Sequence, residues 1–403
     1  MPDQETGHFQ FVDSLRGIAV LGVLLIHTGQ RVPGLPAAVT AITNFGGYGV
    51  HLFFVASAFT LFSSLNQRTR SEGRPTLNYF LRRLFRIAPL FWVAMLFYLW
   101  WYGTGPQLWA PHGITWPDVL ATACFAHGWS PTRINTIVPG GWSIAVEMNF
   151  YLLVPLLFTW LTNVRRCFWF FIACLLSQAI VNLAMQPVFL RLLAPDERYL
   201  ADPMRLMWLP TQLPVFAAGF VLYRSLAPYL ARHTDGDAGS PSMPRWPSLP
   251  SLLMLIAVLG LLLFRLAPLS TFWGTLFAIL AARLAFRPSS FLVNGYTHFV
   301  GNISYSGYIV HFVVLDLAAR FVQPIAFVTR HPLTHLAALY AAVVCGTMLL
   351  ATATNRLIEE PARAAGRSLI AALERMPVRP IAAKRRRRDP FRSPQRDTAD
   401  RPV

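Results

Sequence analysis

Hydrophobic residues in this chain form long, nearly unbroken runs, without the short-period alternation of soluble amphipathic elements. Apolar stretches lie near 11–30, 45–65, 79–102, 140–162, 166–187, 205–227, 249–267, 269–286, 298–322 and 333–358. Each is roughly twenty residues, enough to cross a bilayer as a helix, so the pattern predicts an all-α, polytopic transmembrane bundle of about ten spans. Between the runs, arginines concentrate in alternate connections (Arg68, Arg70, Arg74; Arg165, Arg166; Arg224, Arg232, Arg245; Arg287) and in the C-terminal tail KRRRRDPFRSPQR. Positive charge is retained on the cytoplasmic side, which predicts that both termini are cytoplasmic. Residues 1–363 read as one membrane domain and 364–403 as a basic, disordered cytoplasmic tail. Segment 103–139 is the longest outer connection, and 228–248 reads as a flexible inner loop.

Composition strengthens this picture. Of 403 residues, 54% are hydrophobic and 13% charged, with a mean hydropathy of +0.44. Soluble chains carry about a quarter charged residues, so most of this one faces a solvent that penalises charge. The formal net charge of +17 fits cytoplasmic loops and anionic headgroups of the lipid bilayer, and no nucleic-acid partner is expected. The four cysteines, Cys124, Cys167, Cys174 and Cys345, lack metal-ligand spacing, so no metal is expected. The first apolar run is too long and too polar to read as a cleavable signal.

Ionisable groups within spans are expensive and face a bundle interior or an aqueous cavity. The first span, FVDSLRGIAVLGVLLIHTG, carries Asp13, Arg16 and His27. Eleven residues return Arg16 and His27 to nearly the same helix face, roughly 16 Å apart along the axis. Asp13 can pair with Arg16 at i, i+3. In the fourth span, after Pro139–Gly141, residues Ser143, Glu147 and Tyr151 recur at i, i+4, i+8, and a buried Glu147 requires a partner, such as an arginine. The ninth span, NISYSGYIVH, brings His311 into the outer half of the membrane. His27, Glu147 and His311 are therefore expected at similar depth. The third span opens FLRRLFRIAP, putting Arg82, Arg83 and Arg86 at the inner surface. Positive-inside topology alone produces such clusters, but Arg82 and Arg86 share a face suited to holding phosphates.

At these residues the sequence resembles the integral-membrane acyltransferase family 3, whose members O-acylate carbohydrates and other exported molecules. The resemblance is carried, in order, by LRG and LLIH, FFVASAF, RRLFRIAP, WSIAVEMNFY, NISYSGYIVH and RLIEEP, and runs across nearly the whole hydrophobic chain. It departs at Ser57–Ala58, where the family usually has Ser-Gly, and at His51, where an Asp is common. The resemblance implies an integral protein of a bacterial cytoplasmic membrane that moves an acyl group, by family frequency acetyl, from acyl-CoA to a hydroxyl of a glycan or lipid-linked saccharide. A small natural product such as a macrolide is the alternative acceptor. Carried over, the catalytic set is His27, Glu147 and Arg16, with Glu147 orienting His27 or binding the acceptor. Arg82, Arg83, Arg86 and Arg16 would bind the acyl-CoA donor, and Ser143, Tyr151, His311 and Ser57 the substrate. A proton-coupled transporter or flippase would carry similar intramembrane charges, but predicts inverted repeats, which the sequence does not display.

Overall fold

The computed structural model of the chain describes residues 9–69, 71–234, 269–325 and 329–376. Among the described residues every regular element is a helix, and the one extended pairing is an isolated bridge between Gln107 and Ala110. In chain order the helices are α1 (Gln10–Gly29), α2 (Ala37–Phe45), α3 (Gly49–Arg68), α4 (Pro75–Tyr102), α5 (Trp116–Ala123), α6 (Gly141–Trp160) and α7 (Val164–Leu192). They continue with α8 (Ala201–Met207), α9 (Leu209–Thr234), α10 (Leu269–Phe286), α11 (Gly295–Asn302), α12 (Ser304–Val322), α13 (Pro332–Thr354) and α14 (Glu360–Arg375). Nine helical segments among the described residues are long and apolar enough to span a bilayer, so the all-α polytopic bundle is as expected. The further span expected at 249–267 lies outside the described residues.

Local chemistry sets the helix boundaries. Pro75 opens α4, where its missing N–H costs nothing. Asn163 caps α7 by accepting from Arg166 N at 2.9 Å. Thr115 and Asp118 form a capping box on α5. Two expected spans are broken. The one read at 205–227 divides at Trp208, because Pro210 and Pro214 cannot donate backbone hydrogen bonds. The carbonyls of Arg205 and Leu206 accept instead from Thr211 Oγ1 (2.7 Å) and Gln212 Nε2 (2.6 Å). The span read at 298–322 divides at Ile303 into α11 and α12.

In lipid, burial of apolar surface does not drive helices together, so close packing of small residues and polar bonds must do it. Helix α1 occupies the centre, against α3, α11, α12 and α13. At its crossing with α11 the backbones nearly touch: a Cβ on Gly301 would lie 1.9 Å from the Asp13 carbonyl oxygen, and one on Gly17 would lie 2.1 Å from that of Thr297. At the periphery, α7 exposes Leu176, Ile180 and Leu183 along one stripe, as a lipid-facing helix does.

The tail departs from expectation. Residues 360–375 are helical and fold back on α4, with Gly366 pressed on Phe85 and Glu374 accepting from Gly73 N (2.9 Å), Arg74 N (3.0 Å) and Asn78 Nδ2 (2.6 Å). The basic run beyond Met376 lies outside the described residues.

Replacing Gly301 by Ala is expected to destabilise the bundle by about 1–3 kcal/mol through overpacking. Gly105→Ala, with nothing within 4 Å of the new methyl, should stay within about 0.5 kcal/mol. Size-exclusion survival of detergent-solubilised protein after a heat ramp distinguishes them; equal midpoints would refute the close-approach argument.

Candidate active site

The polar residues of the bundle interior form two clusters. One end of the bundle, where α1 and α4 begin and α3 ends, is rich in arginine; we refer to it as the arginine face. Near this face, Arg16 donates to Thr60 Oγ1 at 3.0 Å and lies 3.5 Å from Asp13 Oδ1. Glu147 Oε1 accepts from Ser57 and from Tyr151, each at 2.5 Å. Arg83 lies between two rings, its guanidinium carbon 5.9 Å from the centre of Tyr79 and 5.8 Å from that of Tyr151. Such separations are within the range of cation–π attraction, which offsets part of the cost of burying the charge.

These groups surround a small cavity of about 60 Å³ lined by Arg16, Ser57, Arg83, Arg86, Ser143, Glu147, Tyr151, Tyr305 and Tyr308, among others. Below it lies a polar cavity of about 780 Å³, whose lining includes Arg68, Thr60, Asn355 and Arg363. Arg16, Arg83 and Arg86 line both. The larger volume falls in the usual range of small-molecule sites, roughly 300–1,000 Å³. The smaller one admits only a thin chain.

The second cluster stands toward the opposite face. His27 stacks on His311, with ring centres 5.4 Å apart and an interplanar angle of 26°, and packs on Phe312 at 4.5 Å. His27 Nδ1 lies 3.0 Å from Gln30 Oε1; donation to that carbonyl-type oxygen leaves Nε2 as an acceptor. His311 is fully buried and its Nδ1 lies 2.7 Å from the Tyr308 carbonyl oxygen, which likewise leaves Nε2 with a lone pair. That Nε2 has no hydrogen-bond partner among the described residues. Just beyond, Asp316 accepts from Arg31 and Tyr102, both at 2.6 Å.

Tyr308 separates the clusters. Its carbonyl serves His311, while its ring lines the small cavity. Ser143 donates to the Tyr308 hydroxyl at 2.7 Å, and that hydroxyl donates to the Gly140 carbonyl at 3.0 Å. The turn it grips is left-handed at Gly140 (φ 76°), a conformation that favours glycine. His127 braces the same turn by donating from Nε2 to the Gly141 carbonyl at 3.1 Å; burial pulls its pKa down to about 4, keeping it neutral.

Four expectations require correction. His27, Glu147 and His311 do not form one layer: the histidines meet, but Glu147 lies one helical turn past Ser143, about 6 Å nearer the arginine face. Glu147 therefore does not orient His27; its bonds go to Ser57 and Tyr151. Nor does an arginine pair with it within 4 Å among the described residues, since the two hydroxyls occupy it. Arg82 lines neither cavity. It turns to Glu72, with Nη1–Oε1 at 2.8 Å and Nη2–Oε2 at 3.0 Å. Arg83 and Arg86, one and four residues on, face the interior.

Sequence reasoning passed over Thr60, Tyr308, Arg31, Asp316 and Arg363. Asp316 was detectable, being an ionisable residue within a span. Tyr308 was not, because tyrosines are common in such helices.

Comparison with known proteins agrees with this architecture. The family model described as "Acyltransferase domain" matches residues 9–353. The acyltransferase MdmB of Streptomyces mycarofaciens is 27% identical over 213 residues, 50% of this chain and 51% of that protein. The O-acetyltransferase OatA of Staphylococcus aureus is 30% identical over 165 residues, 38% of this chain and 25% of that protein. The matched part is thus about half the length of the first relative and a quarter of the second. No solved structure matches. The chain belongs to this acyltransferase family and is an integral membrane protein.

If Arg82 is a structural partner of Glu72, Arg82→Ala should cost about 1.5–3 kcal/mol of stability, the worth of a charged hydrogen-bonded pair. The coenzyme A binding that the family resemblance leads one to expect should then change less than twofold. A thermal-shift measurement paired with titration of coenzyme A checks both; a large loss of affinity at unchanged stability would return Arg82 to the binding site.

Proposed function

We propose, taking membership of this acyltransferase family as the premise, that the protein transfers an acyl group, most simply acetyl, from acyl-CoA in the cytoplasm to a hydroxyl of a glycan or glycolipid bound for the cell surface, within a bacterial cytoplasmic membrane. The observation that carries the reading is the pair of cavities that share Arg16, Arg83 and Arg86 in their walls. A wide basic chamber narrowing to a thin passage suits a molecule with a bulky phosphorylated end and a slender arm. Guanidinium groups are matched to phosphate oxygens, and the reactive thioester would be carried inward, shielded from hydrolysis.

In this mechanism the arm passes the Arg16 and Ser57–Glu147 level and presents the thioester beyond Tyr308, where His27 stands. His27 Nε2 accepts the proton of the acceptor hydroxyl as its oxygen forms a bond to the thioester carbonyl carbon. A tetrahedral oxyanion develops and requires a donor. The Ser143–Tyr308 hydroxyl pair, turned from the Gly140 carbonyl, would supply it. Collapse breaks the C–S bond, and the departing thiolate of coenzyme A recovers the proton from His27. The acceptor approaches from the opposite face, past Arg31, Asp316 and Tyr102, so the two substrates meet from opposite sides. Glu147, fixed by Ser57 and Tyr151, offsets the positive charge of the passage through which the donor threads.

His27→Ala should lower transfer by about 10²–10⁴, the worth of a positioned general base, and leave coenzyme A binding near the wild-type value. Consumption of acetyl-CoA by purified protein with a candidate saccharide, together with glycan masses from cells with and without the gene, tests this. Wild-type turnover in the variant would remove His27 from the chemistry, and absence of any acyl-CoA-dependent transfer would defeat the reading as a whole.

A further inference from the structure

The last span ends irregularly. Residues Asn355–Glu359 form a π-helical turn between α13 and α14, a distortion frequent at functional sites because it redirects side chains. Glu359 is held there by the Ser306 hydroxyl. Asn355 Nδ2 donates to Glu360 Oε1 at 2.9 Å, and Asn355 Oδ1 accepts from Arg363 Nη2 at 3.2 Å. The bend, with the anchoring of Glu374 and Gly366 described above, carries α14 across the start of α4 and brings Arg363 over the large cavity.

The charge balance of that cavity is uneven. Its lining holds Arg16, Arg68, Arg83, Arg86 and Arg363 against the carboxylates of Asp13 and Glu360. Arg16 pairs with Asp13 and Arg68 with Glu72. Among the described residues, Arg83, Arg86 and Arg363 have no carboxylate within 4 Å, and the Nε groups of Arg83 and Arg363 are buried without a hydrogen-bond partner. A buried donor left unbonded costs about 1–3 kcal/mol, more when charged. The guanidinium groups of Arg83 and Arg86 line the cavity with no hydrogen bond to another described residue, and with Arg363 they mark a place where anionic oxygens are to bind.

We infer that Arg363, presented by the π-turn, completes a phosphate-binding site with Arg83 and Arg86, gripping the nucleotide end of the donor from α14 while they grip it from α4. This rests on the acyl-CoA reading above. It assigns to the C-terminal arm the role that the arginine motif of the third span suggested for Arg82. Contacts from two elements far apart in sequence hold a phosphate in one orientation, which a single helix face does not, and leave the thioester arm directed at the narrow passage. Arg363 is thus a binding residue of the donor site, reached by a chain segment that follows the last membrane crossing.

The test is coenzyme A binding by the full-length protein, purified in neutral detergent, measured calorimetrically. Arg363→Ala is expected to weaken binding tenfold or more. Arg363→Lys, which keeps the charge but loses the fork, should fall between, and Arg367→Ala, exposed on the same helix, should match wild type. Repeating the titration with 3′-dephospho-coenzyme A identifies the phosphate: loss of the Arg363 effect assigns it to the 3′-phosphate, and its persistence to the diphosphate. Binding by a folded Arg363→Ala protein within twofold of wild type would overturn the inference. If the wild-type protein binds no coenzyme A at all, the acyl-CoA reading fails, and phosphatidylglycerol retention by native mass spectrometry then decides for a lipid phosphate. A loss of retained lipid in Arg363→Ala upholds the site with that ligand, and no change overturns it.

Discussion

The cost of holding guanidinium groups inside a helical bundle organises this protein. An arginine in hydrocarbon surroundings must be compensated by hydrogen bonds, counter-charge or aromatic faces, and each one here meets that requirement differently. Arg16 has Thr60 and Asp13, Arg82 has Glu72, and Arg83 lies between Tyr79 and Tyr151. Arg86 and Arg363 are left facing a cavity with less protein compensation. The same accounting that keeps the fold together therefore leaves a positive chamber at one face. Function is proposed at the place where compensation is incomplete.

The central position of α1 follows from a second constraint. Because lipid supplies little drive for helix association, α1 approaches α11 closely enough for backbone contact at Gly17 and Gly301. That approach fixes Arg16 and His27 relative to α3 and α12, the elements that carry Ser57 and His311. Packing of small residues thereby determines which polar side chains can meet.

Tyr308 gives the site its division. With a cationic and carboxylate cluster on one side and a histidine pair on the other, the bundle holds two polar compartments separated by one side chain and its hydrogen bonds to the Gly140 turn. In the proposed reaction, an arrangement of this kind would let donor and acceptor arrive from opposite faces without opening a continuous aqueous leak through the membrane.

Helix type and nine of the ten expected spans were legible in the sequence because a twenty-residue apolar run has few other solutions in a bilayer, and Arg16, His27 and Glu147 stood out because charge in such a run is rarely accidental. Depth was less legible. Counting residues from a presumed surface put Glu147 level with His27, but the α6 start is set by the Gly140 turn and its grip by Tyr308, which no count along one segment reveals. Arg82 and Arg363 illustrate the same limit. Periodicity placed Arg82 on a face with Arg86, yet Glu72 from the preceding loop captured it. Arg363 lies just before the stretch that composition marked as disordered, in a helix that is ordered because Phe85, Gly73 and Asn78 of distant segments receive it. Individual spans are determined by local hydropathy. Which charge is compensated, and which is left to bind a ligand, is decided only when segments far apart in the chain compete for the same few partners.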